Sequence, residues 1–555
     1  MVTSPADHIE VEWQYETTDT AAAARWFEAS VVSGYVVTVG PTKEQHDTYF
    51  DTSDWRIHGA GYTCRIRRKK DGPEVTLKSM ADSSGGMRSR REINEAAGSD
   101  SPDAIAACPG PAGELIRAIV GRQPIEPIFS LWTTRRIFNL ADSDGPLAEI
   151  AVDTVVIPVE GQDTPATLSR VEVEVDATGV DRARRFVDLT VATLGLLPAD
   201  TSKFQAGLAA TGHVPQTEKR RFGPDRPTDV MTAGEAAFAI MRRQFATILA
   251  NEPGTRLGED IEALHDMRVA TRRLRALMSA FRPYLPARTE SYRVQFGRVA
   301  AALGEVRDLD VQLERFAEWR SEPAQDQDDP LAPVAAILEA HRVAARRRML
   351  RVLDSRWYAS LIERFSSFLQ RGPARSFAPG RIAILAAAPD LLERRYRRVR
   401  RRGDAIRRTS PPADYHALRI DSKKLRYAVE FVGPLYGRPA IAFSERVTAV
   451  QDVLGLHQDA YVAMASFREL AIAYSRRLSP DTILAMGAIV ERYRSDAERL
   501  RSKFPSAYRP LRGKDWRELR RVIENHRPPT PSPATNNTTR PPKVDTANPP
   551  SSTSD

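Results

Sequence analysis

Residues 8–16, HIEVEWQYE, alternate with a period of two: Glu10, Glu12 and Gln14 fall on one side, Ile9, Val11 and Trp13 on the other. That alternation predicts a strand. Further strand-like runs follow at 47–52, 62–70, 74–79, 87–94, 135–140, 147–159 and 168–177. Turn residues such as Asp71-Gly72-Pro73 and Ser84-Gly85-Gly86 separate them. Helical patterns occupy 20–33, 112–121 and 179–194. Together these predict an α+β domain with a large antiparallel sheet, ending near residue 212.

Beyond residue 229 the period changes to that of helices, and the chain repeats itself. HDMRVATRRLRALMSAF at 265–281 returns as HALRIDSKKLRYAVEFV at 416–432, an offset of 151 residues. LGEVRDLD from Leu303 and LGLHQDAY from Leu454 match at the same offset. Two blocks at one spacing define a duplicated unit. Neither helical copy contains Gly or Pro, and both are rich in helix formers. Residues i, i+3, i+7 and i+10 share a helix face. In the first copy that face carries His265, Arg268, Arg272 and Arg275; in the second, His416, Arg419, Lys423 and Arg426. Like charges so spaced repel, and two such ribbons brought together repel further unless a polyanion lies between them.

This pattern, H-x-x-R-x-x-x-R/K-R/K-L-R followed by L-G-x-x-x-D, resembles the CHAD family over residues 229–526. The resemblance implies an all-α fold of two repeated helical bundles and a basic cavity that binds inorganic polyphosphate. The implied contacts are His265, Arg268, Arg272, Arg273, Arg275, His416, Arg419, Lys423, Lys424 and Arg426. Gln458 stands where the first copy has Arg307, so that position is not expected to be an essential anion ligand.

The strands of the first half raise a different question, because charges sit in pairs on their alternating faces. Glu10 and Glu12 share a face, as do Glu172 and Glu174; so do Arg65, Arg67 and Lys69, and Arg88, Arg90 and Glu92. Four such strands predict a closed sheet with a polar interior, a tunnel in place of a packed barrel. Carboxylates there suit a hard divalent cation, and Arg and Lys suit phosphate. The residues resemble the CYTH family, the triphosphate-tunnel fold. The match includes E-V-E at 10–12, YFD at 49–51, RIR at 65–67, LK at 77–78, R-x-E at 90–92, E-V-E at 172–174 and SKF at 202–204.

The CYTH resemblance implies Mg²⁺ or Mn²⁺ held by Glu10, Glu12, Asp153, Glu172 and Glu174. It implies a triphosphate held, and catalysis supported, by Glu10, Glu12, Arg65, Arg67, Lys78, Arg90, Arg136 and Lys203, with Arg135 as the alternative to its neighbour. One position departs: the family motif opens E-x-E-x-K, and here Gln14 replaces the lysine. Loss of a charged contact of this kind costs about 2.7–4 kcal/mol of transition-state stabilisation by analogy with an oxyanion donor. Slow or absent hydrolysis therefore stands beside ordinary activity as an expectation.

Charge supports the division. The chain of 555 residues carries a formal +9, yet residues 228–527 alone hold 54 Lys and Arg against 37 Asp and Glu. The helical half faces an anion while the remainder is acidic. Two cysteines, Cys64 and Cys108, make no disulfide framework and fit a reducing cytoplasm. No signal segment or membrane span is expected. Residues 213–228 read as a linker, SEPAQDQDDP at 321–330 as an exposed acidic loop, and 527–555 as a disordered tail. The basic run ERRYRRVRRR at 393–402 is either a solvated helix face or a second polyanion contact.

The sequence thus predicts a closed antiparallel tunnel (1–212), a linker and an all-α duplicated bundle. The expected partner is inorganic polyphosphate or triphosphate, with Mg²⁺ or Mn²⁺, in a protein of the cytoplasm or of polyphosphate granules. A non-catalytic adaptor with a degenerate tunnel is the alternative. Nucleic acid ranks last, because the motif lacks the interleaved aromatics that stack bases. A His265–His416 metal pair is disfavoured by the surrounding cations.

Overall fold

The computed structural model describes residues 7–29, 32–81, 84–176, 178–215, 222–320 and 329–528. The middle of the expected linker (216–221), most of the acidic loop (321–328) and the tail from 529 lie outside the described residues.

Among the described residues the first half has eight long strands: β1 (Asp7–Glu16), β2 (Val36–Thr52), β3 (Tyr62–Lys69), β4 (Gly72–Ser79), β5 (Met87–Ala96), β6 (Ile125–Asp142), β7 (Gly145–Ile157) and β8 (Ala166–Val175); β9 (Leu197–Pro198) is a two-residue addition. Their order is β5-β4-β3-β2-β6-β7-β8-β1, all antiparallel, and β1 pairs back onto β5 to close the ring. Closure removes both sheet edges. Six helices accompany the strands: α1 (Thr20–Ala29), α2 (Arg56–Gly59), α3 (Pro102–Ala107), α4 (Pro111–Val120), α5 (Val180–Leu194) and α6 (Lys203–Thr211).

The barrel is inside-out relative to an ordinary core. The apolar positions of β1, Val11, Trp13 and Tyr15, point outward and are buried with Phe27 of α1 and Phe186 of α5. On the other flank Cys64, Ile66, Leu77 and Ile93 are buried against Ile105, Ile116 and Ile119 of α3 and α4. The polar positions therefore have only the lumen. One stretch of the lumen is apolar: Phe204 and Leu208 of α6 pack on Tyr49, Phe129, Leu131 and Val155.

Two strands begin earlier than the sequence pattern predicts. β2 starts at Val36 and β6 at Ile125. Val36–Gln45 are mostly exposed and carry no clean apolar alternation. These residues are held as strand by the β2–β6 ladder, from Val36↔Ala141 to Thr52↔Ile125, a long-range pairing that leaves little local signal.

The second half is helical: α7 (Ala233–Leu257), α8 (Ile261–Ala280), α9 (Arg288–Arg320), α10 (Ala332–Leu353), α11 (Arg356–Arg371), α12 (Ile384–Ala405), α13 (Pro412–Val432), α14 (Arg438–Ala473), α15 (Pro480–Tyr508) and α16 (Lys514–Asn525). Five helices recur as five at the 151-residue offset, α8 on α13 and α9 on α14. Ala233 N–H donates to Ile382 O at 2.7 Å and Ile384 N–H to Met231 O at 3.0 Å. These are the same bond seen from each repeat, and they mark a pseudo-two-fold axis between the starts of α7 and α12. One apolar core spans both repeats, including Leu274 and Leu277 from α8 and Leu425 and Val429 from α13.

The halves meet at the end of α7. Leu257 is buried in the apolar cluster under β3 and β4. Glu252 accepts hydrogen bonds from Arg56 of α2 at 3.3 Å, Arg256 at 2.8 Å and Tyr358 at 2.8 Å. Glu259 binds Tyr62 and Arg91 of the barrel. Among the described residues no helix is long and apolar enough to cross a membrane.

Candidate functional site

The barrel encloses a cavity of about 190 Å³ whose lining is mostly charged. Strand alternation supplies it: Glu10, Glu12 and Gln14 from β1; Arg65 and Arg67 from β3; Lys78 from β4; Arg88, Arg90 and Glu92 from β5; Arg135 from β6; Glu172 and Glu174 from β8. Lys203 arrives differently. Ser202 caps α6, its side chain accepting from Gln205 N–H in a capping box, and this turns the first helical residue, Lys203, into the lumen.

Inside, cations and carboxylates are already matched. Arg65 and Arg67 bind Asp47, at 3.2 and 2.7 Å. Burial alone would raise the Asp47 carboxyl, but these two guanidiniums hold it far below its ordinary range. Lys78 lies against Glu10 and reaches Glu92 at 3.1 Å and Glu12 at 3.6 Å; Arg90 pairs with Glu12. Arg135 grips Asp153 through two bonds of 2.9 and 2.7 Å and reaches Glu172 at 2.5 Å. Lys203 binds Asp153 and stands 3.1 Å from Glu172. Burial opposes ionisation of Glu172, yet Lys203 and Arg135 hold its pKa low. Glu174 differs: burial and then Glu10 push its carboxyl up to about 7.

One expectation from the sequence is corrected by the geometry of β6. Arg136 is not a tunnel residue. It emerges on the outer face, 40% exposed, and pairs with Glu28 of α1; alternation along β6 turns its neighbour Arg135 inward. Asp153 and Glu172 are paired with Arg135 and Lys203, as Glu10 is with Lys78 and Glu12 with Arg90. With Glu174 they supply carboxylate oxygens of the kind a hard divalent cation takes. Repulsion between Glu174 and Glu10 is what a cation there would relieve. Among the described residues no three metal-binding groups are drawn together around one point.

The helical half presents the second site. α8 and α13 pack together across the pseudo-two-fold axis. Arg272 and Arg273 of α8 stand 5.9 and 6.0 Å from the ring centre of Tyr427 on α13. Burial, and then Arg419, Arg272 and Arg268, depress the Lys423 ammonium to about 7. Arg268 binds Asp308 of α9 at 3.1 Å, and its repeat partner Arg419 meets Asp459 of α14 at 3.8 Å. Gly304 and Gly455, one turn before those aspartates, lie 3.8 and 4.0 Å from the two Nε atoms when given a Cβ. The L-G-x-x-x-D block thus packs against each arginine and gives it a carboxylate partner.

Other motif residues have their own partners. Arg273 binds Glu430 at 2.6 Å and Arg426 stands 3.3 Å from the same carboxylate. Arg275 lies beside Gly297 of α9. Lys424 is half-exposed, 3.9 Å from Asp421. His416 bonds Gln458 at 2.8 Å, so the residue replacing Arg307 holds a histidine. His265 is half-buried on α8. Sequence reasoning missed Asp47; it placed Arg88 on a charged face and Asp308 and Asp459 in a repeated motif but gave them no partner, and Arg88 donates to Ala199 O at 2.9 Å. For the two helical aspartates the repeat offset was the available signal.

Two family models match, the CYTH domain over residues 8–201 and the CHAD domain over 239–468. The chain is a CYTH domain followed by a CHAD domain. An uncharacterized protein found in two strains of Mycobacterium tuberculosis is 26% identical over 551 residues, covering 91% of this chain and 97% of that one. The CHAD domain of the plant Ricinus communis is 23% identical over 54% of this chain and 96% of its own, with a TM-score of 0.39. A Bacillus halodurans protein proposed to be an adenylate cyclase is 18% identical over 36% of this chain and 98% of its own, with a TM-score of 0.27. The CYTH–CHAD pairing ties the chain to the chemistry of triphosphate and polyphosphate.

Proposed function

We propose that the chain is a polyphosphate-binding protein whose CHAD half holds a long chain between α8 and α13. Its CYTH half takes a triphosphate or short chain end. The observation that carries this reading is that Arg272 and Arg273 of α8 stand 5.9 and 6.0 Å from the ring centre of Tyr427 on α13, so that the cationic faces of the two repeats meet. Like charges gathered on two facing helices suit a polyanion, and guanidinium forks match phosphoryl oxygens.

In the tunnel, Arg65, Arg67, Lys78, Arg90, Arg135 and Lys203 bind the phosphate oxygens in exchange for the carboxylates they now hold. That exchange frees Glu10, Glu12, Asp153 and Glu172, which with Glu174 are the oxygen donors for Mg²⁺ or Mn²⁺. When bound, such an ion would neutralise phosphate oxygens and favour attack by water. The residues themselves orient the chain and balance developing charge, which is most of what phosphoryl transfer requires.

Gln14 favours a second reading, a binding module with slow or no turnover. Its amide carries no charge and is engaged with Glu172 at 3.2 Å. Two measurements on the full chain separate the readings: titration with polyphosphate, and phosphate release from tripolyphosphate with Mg²⁺ or Mn²⁺. Binding with turnover supports the enzyme, and binding without turnover supports the adaptor. Failure to bind polyphosphate overturns both.

A further inference from the structure

Tyr427 lies in the cationic groove but belongs to no part of the basic motif. It follows Arg426 on α13 and falls one turn after Lys423, on the same face. The residue is 3% exposed. The guanidinium carbons of Arg272, Arg273 and Arg426 stand 5.9, 6.0 and 5.4 Å from the centre of its ring. Its hydroxyl is buried and has no hydrogen-bond partner. The Nε atoms of Arg272 and Arg273 are also buried without a hydrogen-bond partner, whereas that of Arg426 stands 3.3 Å from Glu430. The hydroxyl and two guanidinium donors thus lie together without an acceptor. The nearest carboxylate, Glu430, engages Arg273 and lies 3.3 Å from Arg426, and reaches neither Arg272 nor the hydroxyl.

Buried donors without acceptors cost free energy and call for an occupant. The required partner has several acceptor oxygens and negative charge, as a phosphoryl group has. The ring is too deeply buried to serve as a stacking platform for a base. The repeat offset places Ala276 at the equivalent point of α8, so only one side of the pseudo-two-fold axis carries a hydroxyl.

We propose that Tyr427 is a ligand of the bound phosphate chain, its hydroxyl donating to a phosphoryl oxygen where Arg272, Arg273 and Arg426 gather. This rests on the reading that the CHAD half binds polyphosphate. Guanidiniums drawn onto the phosphate move off the ring and uncover the hydroxyl. The phenol then gives the site one neutral, directional contact among point charges.

The test is Tyr427→Phe in the full chain, which keeps the ring that the arginines rest on. Polyphosphate affinity should fall about 10-fold, the worth of a hydrogen bond to a charged group. The slope of log affinity against log salt should stay as in the wild type, because a neutral donor releases no counterion. Arg272→Ala, by contrast, should lower that slope. Thermal melting of Tyr427→Phe is measured alongside, and Tyr427→Leu shows what loss of the ring itself does. Unchanged affinity of the Phe variant, with or without a shift in melting, overturns the proposal while leaving the polyphosphate reading intact. A wild-type chain that does not bind polyphosphate overturns both.

Discussion

The amide of Gln14 donates to Glu172 Oε1 across 3.2 Å, and Lys203 stands 3.1 Å from the same oxygen. A neutral group therefore shares, with one lysine, the carboxylate that the CYTH motif would give two. Gln14→Lys adds a charge beside Lys203 and Arg135, and Glu172 is poised to accept it. Phosphate release from tripolyphosphate with Mg²⁺ should rise about 100-fold, the value of one charge-stabilising contact. An unchanged rate would assign that charge to Lys203 alone.

Arg135 and Arg136 are neighbours in sequence and opposites in consequence. Arg135→Ala leaves Asp153 and Glu172 buried with one cation fewer. Breaking a buried ion pair by removing one partner costs about 3–5 kcal/mol. Arg136→Ala removes a surface pair with Glu28, worth about 0–1 kcal/mol. Melting curves of the two variants should differ accordingly, and only Arg135→Ala should weaken binding of tripolyphosphate.

Arg268 and Arg419 hold equivalent places about the pseudo-two-fold axis, each leaning on an aspartate of the following helix. Their alanine variants should weaken polyphosphate binding by similar factors, and each should reduce the salt slope by roughly one. Unequal losses would mean that the chain engages the two repeats differently. Titrations at three salt concentrations decide it.

Lys423 supplies a pH dependence whose sign follows from its depressed pKa. In the folded chain it gives up its proton near 7, because of burial and then Arg419, Arg272 and Arg268; its ordinary value is 10.5. Between these limits the unfolded chain binds more protons, so the stability of the free protein rises with pH across that window and is lowest below 7. A bound phosphate chain favours the charged ammonium, so binding takes up a proton above pH 7 and affinity falls as pH rises further. Lys423→Met should melt higher than the wild type at pH 6, lose that advantage toward pH 10, and flatten the pH profile of affinity.

Much of the tunnel was legible because strand alternation is strict. Once β1 is a strand, Glu10, Glu12 and Gln14 must share a face, and the paired charges on β3, β5 and β8 obey the same rule. The error at Arg136 arose where alternation was applied without a reference point. Either Arg135 or Arg136 had to face inward, and only the pairing Arg135↔Asp153 fixed which. Asp47 escaped notice because its role depends on β3 lying beside β2, a contact between residues far apart in the chain.

What the chain determined by itself is periodic and local: the inward rows of the strands, the cationic faces of α8 and α13, and the duplication at 151 residues. Tertiary structure alone decided which opposite charges meet. It gave Asp153 and Glu172 to Arg135 and Lys203 and left Glu174 facing Glu10; it also turned Arg273 toward Glu430 and brought Tyr427 under three guanidiniums. The physical reason is that periodicity assigns a side chain to a face, whereas its partner is set by which distant element packs there, and electrostatic interaction between buried groups depends steeply on that distance.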